Sequence, residues 1–219
     1  MKMKYLFLML FVLFSATGCF SGRQTVLVPT PENGFTIAPV QEKFIDYYLR
    51  ELDDSEKTLL VEKVKSAAGT KYVWGGNAPE EGIDCSGLLV WAYSQLGYAG
   101  FRNDEDIVDD ITSNDMYNYD VAAAEPVTQM NQFLDYSLGD LLFLDVNHDD
   151  KIDHVAVFMH YDAETETVWV WDASTNTKMV AYRPITGILH KNPYMGRPML
   201  LVKKPDEEPA DDLIAGADK

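Results

Sequence analysis

Hydrophobic positions divide the chain into a helical part followed by a part rich in strands. Apolar residues recur at helical spacing from residue 55 to about 69 and from 85 to 97, which predicts two helices. From residue 139 onward, short apolar runs predict strands at 141–144, 154–160, 168–172, 178–182 and 199–202. Helices followed by an antiparallel sheet are typical of an α+β fold.

The segments around this domain have other patterns. Residues 20–40 mix Ser, Thr, Gly and three prolines without sustained periodicity, which predicts a linker. Residues 41–52 predict a short amphipathic helix, because apolar residues recur there at helical spacing: Phe44, Ile45, Tyr48 and Leu49. Residues 205–219 are acidic and poor in aromatic residues, which predicts a disordered tail. We therefore expect the folded domain to span residues 41–204.

The first residues have the pattern of an export signal. Two lysines precede an apolar run over residues 5–14, and this run is too short to cross a bilayer as a stable helix. The stretch Ala16-Thr-Gly-Cys19 resembles a bacterial lipobox, in which the cysteine is lipidated and becomes the new amino terminus. We therefore expect residues 1–19 to be a lipoprotein signal, and Cys19 to anchor the protein in the bacterial cell envelope, at the outer membrane or cell surface. The alternative is an ordinary cleaved signal with an incidental cysteine.

Composition restricts the partners that the protein can have. With 219 residues, 47% of them hydrophobic, the chain can bury one domain but not two generous ones. Its formal net charge of −17 repels nucleic acid and anionic lipid headgroups. We expect no nucleic-acid partner, and we expect a monomer.

The two cysteines suggest a nucleophile. Exported proteins usually pair their thiols, but Cys85 has no partner if Cys19 is lipidated. Asp84 is the expected N-cap of the second helix, so Cys85 lies in the first turn, where backbone N–H groups and the helix dipole favour a thiolate. A buried inert cysteine is the alternative, and the polar and small neighbours of Cys85 fit it poorly.

A thiolate that attacks an amide needs a base and a group that orients the base. If residues 161–165 form a hairpin turn, His160 pairs with Glu166, and counting back places His154 directly opposite Asp172. A carboxylate there can accept a hydrogen bond from the imidazole. His154 is therefore the candidate base and Asp172 the candidate orienting residue.

Four motifs carry a family resemblance. They are Tyr72-Val-Trp-Gly-Gly, Gly82-Ile-Asp-Cys-Ser-Gly, Gly139-Asp-Leu-Leu-Phe and Asp153-His-Val-Ala-Val-Phe. Together they resemble the NlpC/P60 group of papain-like cell-wall peptidases over roughly residues 55–202. The resemblance implies a papain-like fold in which helices carrying the nucleophile pack on an antiparallel sheet.

The resemblance also implies an activity. It indicates a cysteine endopeptidase that hydrolyses peptidoglycan stem peptides, at the D-γ-glutamyl bond to the diamino acid, with no required cofactor. By resemblance, Tyr72 lines the site and helps to fix the substrate or the oxyanion. Asp84 and Ser86 bind the free amine of a short stem peptide, and Trp74 is either a wall of the substrate pocket or part of the core.

The chain departs from the family at two places. The third catalytic residue of the family is commonly His, and sometimes Asn or Gln, before an Ala-Ser pair, whereas this chain has Asp172 there. Residues 101–137 form a long acidic stretch where the family has a shorter, more basic connection. Two alternatives stay open: a non-catalytic wall-binding lipoprotein of the same fold, or another papain-like amidase or acyltransferase.

A separate acidic segment has part of a calcium-loop pattern. Oxygen side chains alternate at Asp145, Asn147, Asp149 and Asp153, as in an EF-hand loop. The pattern is incomplete, because position six is Asp150 instead of Gly and position twelve is Ala156 instead of Glu. A solvated acidic turn is the favoured interpretation, and a structural calcium ion that braces His154 is the alternative.

Overall fold

The structure is a computed structural model that describes residues 25–29, 35–39, 44, 46–98, 100–103, 106–119 and 122–205. The chain divides into two compact units, residues 1–42 and residues 43–219. The predicted signal with Cys19, and the predicted tail from residue 206 onward, lie outside the described residues. In the part that is described, no helix is long and apolar enough to cross a membrane.

The first unit contains a β-hairpin. Strands β1 (Thr25–Pro29) and β2 (Phe35–Pro39) pair in antiparallel register, with Thr25 opposite Pro39. Within the predicted linker over residues 20–40, these two segments are therefore strands. Both are rich in β-branched and aromatic residues, which favour strands even where prolines interrupt the periodicity.

The second unit is an α+β domain, which confirms the predicted fold class. Its helices are α1 (Asp54–Ser66), α2 (Cys85–Ser94) and α3 (Ser113–Asn118). Its sheet contains seven antiparallel strands: β3 (Tyr47–Glu51), β8 (Ala122–Pro126), β9 (Leu141–Leu144), β10 (His154–Asp162), β11 (Thr167–Ser174), β12 (Met179–Ile185) and β13 (Pro193–Lys203).

The strand order of the sheet is β12-β11-β10-β9-β13-β3, with β8 also paired to β13. Two small hairpins lie outside it: β4 (Asn77–Ala78) with β5 (Gly82–Ile83), and β6 (Phe101–Arg102) with β7 (Ile107–Val108). Short 3₁₀ helices occur at Met130–Asp135 and Ile188–Lys191. Apart from β3, which precedes α1, the strands of the main sheet follow the three α-helices, as the hydrophobic pattern predicts.

The predicted helix over residues 41–52 is wrong. Residues Tyr47–Glu51 form β3, which pairs with the last strand so that Leu49 lies opposite Leu201. A five-residue stretch satisfies both a helical and an extended pattern, and the unpaired edge of β13 offers it backbone hydrogen bonds. Tertiary pairing therefore decides the conformation of this segment.

Helix α1 begins at Asp54, one residue before the predicted start at residue 55. Asp53 and Glu56 form a reciprocal capping box at its amino terminus. Farther along, the ammonium group of Lys57 makes a buried ion pair with Asp140, just before β9. This contact ties the helix to the start of the strand pair that carries His154.

Both faces of the central sheet are buried. Val155 and Val157 face a core shared with α1 and α2, whereas Ala156 and Phe158 face a second core on the other side. Burial of both faces of β10 is expected from the sequence, because its successive residues 155–158 are all apolar. The only ionisable side chain at the start of that strand is His154.

Candidate active site

The thiol of Cys85 lies at the start of α2, where the preceding loop turns into the helix. One oxygen of the Asp84 carboxylate accepts hydrogen bonds from the Gly87 N–H (2.8 Å) and the Ser86 hydroxyl (3.1 Å). The other oxygen accepts from the Gly75 N–H (2.7 Å). Asp84 is therefore the N-cap, as predicted. It also ties the loop that contains Gly75 and Gly76, the glycine loop, to the helix that carries Cys85.

The glycines of the motif permit a close backbone approach. A Cβ on Gly87 would lie 2.0 Å from the carbonyl oxygen of Gly76. Real side chains do not tolerate that distance, and the obstacle is backbone rather than a movable side chain. The Gly-Gly loop therefore packs directly against the first turn of α2, beside the thiol.

The imidazole of His154 contacts the carboxylate of Asp172. Its Nε2 lies 2.7 Å from Asp172 Oδ2, and the Asp172 side chain has no exposed surface. The Cys85 thiol lines the same hollow as the imidazole and is near enough to raise the pKa of His154. Because Nε2 is used by Asp172, Nδ1 is the ring nitrogen left for the thiol. The structure thus brings together the three residues predicted as nucleophile, base and orienting residue.

The strand register that brings His154 and Asp172 together differs from the predicted one. The turn spans residues 163–166, a bulge interrupts the ladder at Met159, and Val157 lies opposite Trp171. Counting back from that pair sets Ala156, rather than His154, opposite Asp172. The contact therefore runs diagonally between the strands, within reach of a long side chain. The predicted register is wrong, although the predicted neighbours do meet.

A second cation contacts Asp172 from the other side. Arg183 on β12 donates from Nε to both carboxylate oxygens, at 2.8 and 3.1 Å, and from Nη2 to Oδ2. Sequence reasoning missed this residue because the predicted strand ended at Tyr182. Extending the strand to Ile185 and pairing it with β11 would have placed an arginine next to the strand that carries Asp172.

These contacts shift the ionisation of the buried groups. Burial lowers the pKa of His154, but hydrogen bonds to Asp172 and Cys85 outweigh burial and raise the pKa to about 9. Burial raises the pKa of Asp172, but hydrogen bonds from His154 and Arg183 outweigh burial, so that the pKa lies below its ordinary value. At neutral pH the imidazole is therefore held as imidazolium next to a carboxylate anion.

Two hollows of one cleft meet at Cys85. A hollow of about 270 Å³ is lined by Asp84 and Ser86, and one of about 650 Å³ is lined by Tyr72 and His154. Four other residues line both hollows: Trp74, Thr112, Ser113 and Asp153. The residues predicted to bind substrate therefore all line the cleft.

Trp74 and Tyr72 differ in exposure. The Trp74 side chain is 82% exposed, so it belongs to the cleft mouth and not to the core. Tyr72 is half-buried, and its burial, with the nearby Cys85 and Asp84, raises its pKa to about 12. The phenol therefore keeps its proton at neutral pH and can donate a hydrogen bond into the cleft.

The acidic stretch that departs from the family pattern forms part of the cleft wall. Residues from β7 to α3 line the smaller hollow, opposite the glycine loop. Ser113 donates from its hydroxyl to the Ile152 carbonyl (3.1 Å), and Asn114 accepts from the Ile152 N–H (3.1 Å). The stretch therefore also braces the backbone two residues before His154.

The acidic turn before His154 has only part of the geometry of a cation site. Carboxylate oxygens of Asp145, Asp149 and Asp153 lie within 4.8 Å of one another. Asn147 instead donates from its side-chain amide to Asp153 at 2.6 Å. Asp150 takes a left-handed conformation (φ 63°) at the place where an EF-hand has glycine. Calcium binding at this turn stays a prediction.

Comparison with known proteins decides the family. Residues 69–199, more than half of the chain, match the NlpC/P60 family. The chain belongs to the NlpC/P60 family. The matched region contains the glycine loop, the helix that carries Cys85 and the strands that carry His154, Asp172 and Arg183.

Two curated relatives come from Escherichia coli (strain K12). The chain is 32% identical to the probable endopeptidase YafL over 45% of this chain and 34% of the relative. It is 31% identical to the murein DD-endopeptidase MepH over 44% of this chain and 31% of the relative. The chain therefore spans about a third of the length of these two relatives.

Solved structures of the same family are also similar. A Staphylococcus aureus protein described as similar to a lipoprotein of the NLP/P60 family has a TM-score of 0.47 and 19% identity. That similarity covers 80% of this chain and 56% of the other.

Proposed function

We propose that this protein is a cysteine endopeptidase that hydrolyses the stem peptides of peptidoglycan, as a monomer with no required cofactor. The observation that carries the proposal is the contact of His154 with the buried Asp172 carboxylate, in an open cleft that His154 and Cys85 line together. Membership of the NlpC/P60 family and the endopeptidase names of the relatives support the same activity.

The proposed chemistry uses Cys85 and His154 in turn, while Asp172 orients the imidazole. The Cys85 thiolate attacks the carbonyl carbon of the scissile amide, and the His154 imidazolium gives its proton to the leaving nitrogen as the C–N bond breaks. This step leaves a thioester on Cys85. Water then attacks the thioester while His154 takes a proton from the water, which releases the carboxylic acid and restores the thiolate–imidazolium pair.

The remaining cleft residues have proposed binding roles. The Tyr72 phenol, which stays protonated at neutral pH, donates a hydrogen bond to the oxyanion that forms in each step. Ser86 and the exposed Trp74 contact the stem peptide. Asp84 supplies negative charge for a free amine, since its Oδ2 accepts only from the Gly75 N–H and keeps a lone pair, whereas Oδ1 already accepts from Gly87 and Ser86.

The proposed scissile bond is the D-γ-glutamyl bond to the diamino acid. The second candidate is the bond that a DD-endopeptidase cleaves, because the relative MepH is named a murein DD-endopeptidase. The two bonds give products with different new termini, so product analysis separates them.

We also propose that lipid on Cys19 holds the protein in the bacterial cell envelope. The support is the pattern of the first residues, in which an apolar run is followed by Ala16-Thr-Gly-Cys19. Residues 20–40, which include the β1–β2 hairpin, then separate the anchor from the catalytic domain.

Mass spectrometry of purified muropeptides tests the activity. The wild-type protein should release products with a new free amine on the diamino acid, and Cys85→Ser should release none while it keeps the wild-type circular dichroism spectrum. Cys19→Ser, which removes the other thiol, is the matched control and should cleave like the wild type. Absence of cleavage by the wild type would favour a wall-binding module, and separation of sugar from peptide would favour an amidase.

A further inference from the structure

Arg183 lies where three strands meet the buried carboxylate of Asp172. It is opposite Val170 on β11, so its side chain reaches Asp172 diagonally from β12, as His154 does from β10. Its side chain is 17% exposed, and the carboxylate it contacts has no exposed surface. Asp172 thus receives one partner from each neighbouring strand.

The two partners use the carboxylate differently. Arg183 contacts both Asp172 oxygens, whereas His154 contacts only Oδ2, at 2.7 Å. A guanidinium group is a planar fork, so contact with both oxygens fixes the plane of the carboxylate. Contact with one oxygen alone leaves the carboxylate free to turn about its Cβ–Cγ bond. The orientation of Oδ2 towards the imidazole therefore depends on the arginine.

We propose that Arg183 is a positioning residue that keeps the Asp172 carboxylate charged and turned so that Oδ2 faces His154. The reaction that Arg183 assists is taken from the proposed function, whereas its effect on the reactivity of Cys85 does not depend on that function. Arg183 acts through Asp172 on the imidazole, and the imidazole in turn holds the thiolate. The arginine takes no part in bond making.

The proposal predicts a direction opposite to that of simple charge removal. If the loss of Arg183 only removed a nearby positive charge, more of His154 would stay protonated and more of Cys85 would be thiolate. If Arg183 is a positioning residue, its loss leaves less of His154 protonated. The reason is that a fully buried carboxylate without its N–H donors takes up a proton or turns away from the imidazole. The reactivity of Cys85 therefore distinguishes the two effects by sign.

Alkylation of Cys85 by iodoacetamide at pH 7 measures this sign in the full-length protein, with the Cys85 peptide quantified by mass spectrometry. Arg183→Gln should react about tenfold more slowly than the wild type. Arg183→Lys, which keeps the charge but loses the fork, should be intermediate. Arg197→Gln removes an arginine that is 58% exposed and 3.6 Å from Glu51, and as the matched control it should react like the wild type.

Equal or faster alkylation of Arg183→Gln would overturn the proposal. If Arg183→Gln does not fold by circular dichroism, Arg183→Lys decides, and a wild-type rate for that variant would overturn the role of the fork. On the substrate cleaved by the wild type, kcat should fall in Arg183→Gln while KM stays within about twofold. A raised KM with unchanged kcat would instead make Arg183 a substrate contact.

Failure of the proposed function has a different signature. The predicted order of Cys85 alkylation rates is wild type, then Arg183→Lys, then Arg183→Gln. If the wild type cleaves no muropeptide but this alkylation order holds, the positioning role stands and the assigned reaction is wrong. If cleavage occurs and the alkylation order fails, the reaction stands and the positioning role is wrong.

Discussion

The buried charges around Asp172 balance in both protonation states of the Cys85–His154 pair. With the proton on His154, two anions (Cys85 and Asp172) face two cations (His154 and Arg183), and with the proton on Cys85 one anion faces one cation. The net charge of the group is therefore zero before and after the proton moves. An uncompensated buried charge would cost several kcal/mol, so this balance lets the proton transfer occur without a large electrostatic penalty.

Replacement of the Asp172 carboxylate by an amide should move the alkaline limb of activity to lower pH. A pKa of about 9 means that the imidazolium form of His154 persists below that pH and is lost above it. In Asp172→Asn the imidazole loses its anionic partner and Arg183 loses its counterion. Both changes lower the pKa of His154, so the imidazolium is lost at a lower pH.

Profiles of kcat/KM between pH 5 and pH 10 measure this shift. We expect Asp172→Asn to lose about tenfold or more of its activity near pH 8. Asp135→Asn, which removes an exposed carboxylate from a 3₁₀ helix away from the cleft, should keep the wild-type profile. An alkaline limb that stays in place in Asp172→Asn would show that another group holds the imidazolium.

Among the elements, those with strong local signals were predictable. Asp84 in front of an apolar run that ends at a glycine predicts α2 and the place of Cys85 in its first turn, and the structure has both. The β10–β11 hairpin was predictable as a pair, but its register was not. A bulge at Met159 shifts the register of this pair, and no local pattern in the sequence marks it.

Elements that depend on distant partners were missed. The stretch that forms β3 has a helical pattern, and only pairing with β13 makes it a strand. Arg183 is an ordinary strand residue until the diagonal contact with Asp172 is known. The acidic stretch from 101 to 137 has weak periodicity, because its structure is set by contacts with Ile152 and β13. Each of these features requires long-range contacts that one sequence does not display.

The start of α2 should not tolerate a side chain at Gly87. Helix propensity alone predicts that Gly87→Ala stabilises the helix by about 0.5–1 kcal/mol. The structure predicts the reverse, because the new Cβ would lie 2.0 Å from the Gly76 carbonyl oxygen. Relief of this overlap has to separate the glycine loop from α2, at a cost of about 1–3 kcal/mol, and it also moves Cys85 relative to His154.

Urea denaturation and the alkylation rate of Cys85 measure the two consequences. Gly87→Ala should unfold at lower urea concentration and react more slowly at Cys85 than the wild type. Ser94→Ala, at an exposed position near the end of the same helix, should change neither property much. A Gly87→Ala protein that is more stable than the wild type would contradict this prediction, because it would mean that the loop moves away from α2 without a cost in stability.

At the scale of the whole molecule, charge limits the ways in which the protein can stay at a membrane. The formal net charge of −17 includes only 18 basic residues, against 35 acidic ones. Such a protein is repelled by anionic headgroups, so electrostatic adsorption cannot supplement a weak anchor. The proposed envelope location therefore depends on the acyl chains at Cys19.

Removal of the proposed lipid attachment site should therefore release the whole protein. In a bacterium that expresses the full chain, Cys19→Ala should lose incorporation of labelled fatty acid and leave the membrane fraction, because its net charge of −17 opposes adsorption to anionic headgroups. Cys85→Ser, which removes the other thiol of the chain, should keep both the label and the membrane location. Fatty-acid label that persists in Cys19→Ala would reject Cys19 as the attachment site. A protein without label that stays in the membrane fraction would instead require a protein or peptidoglycan partner to hold it there.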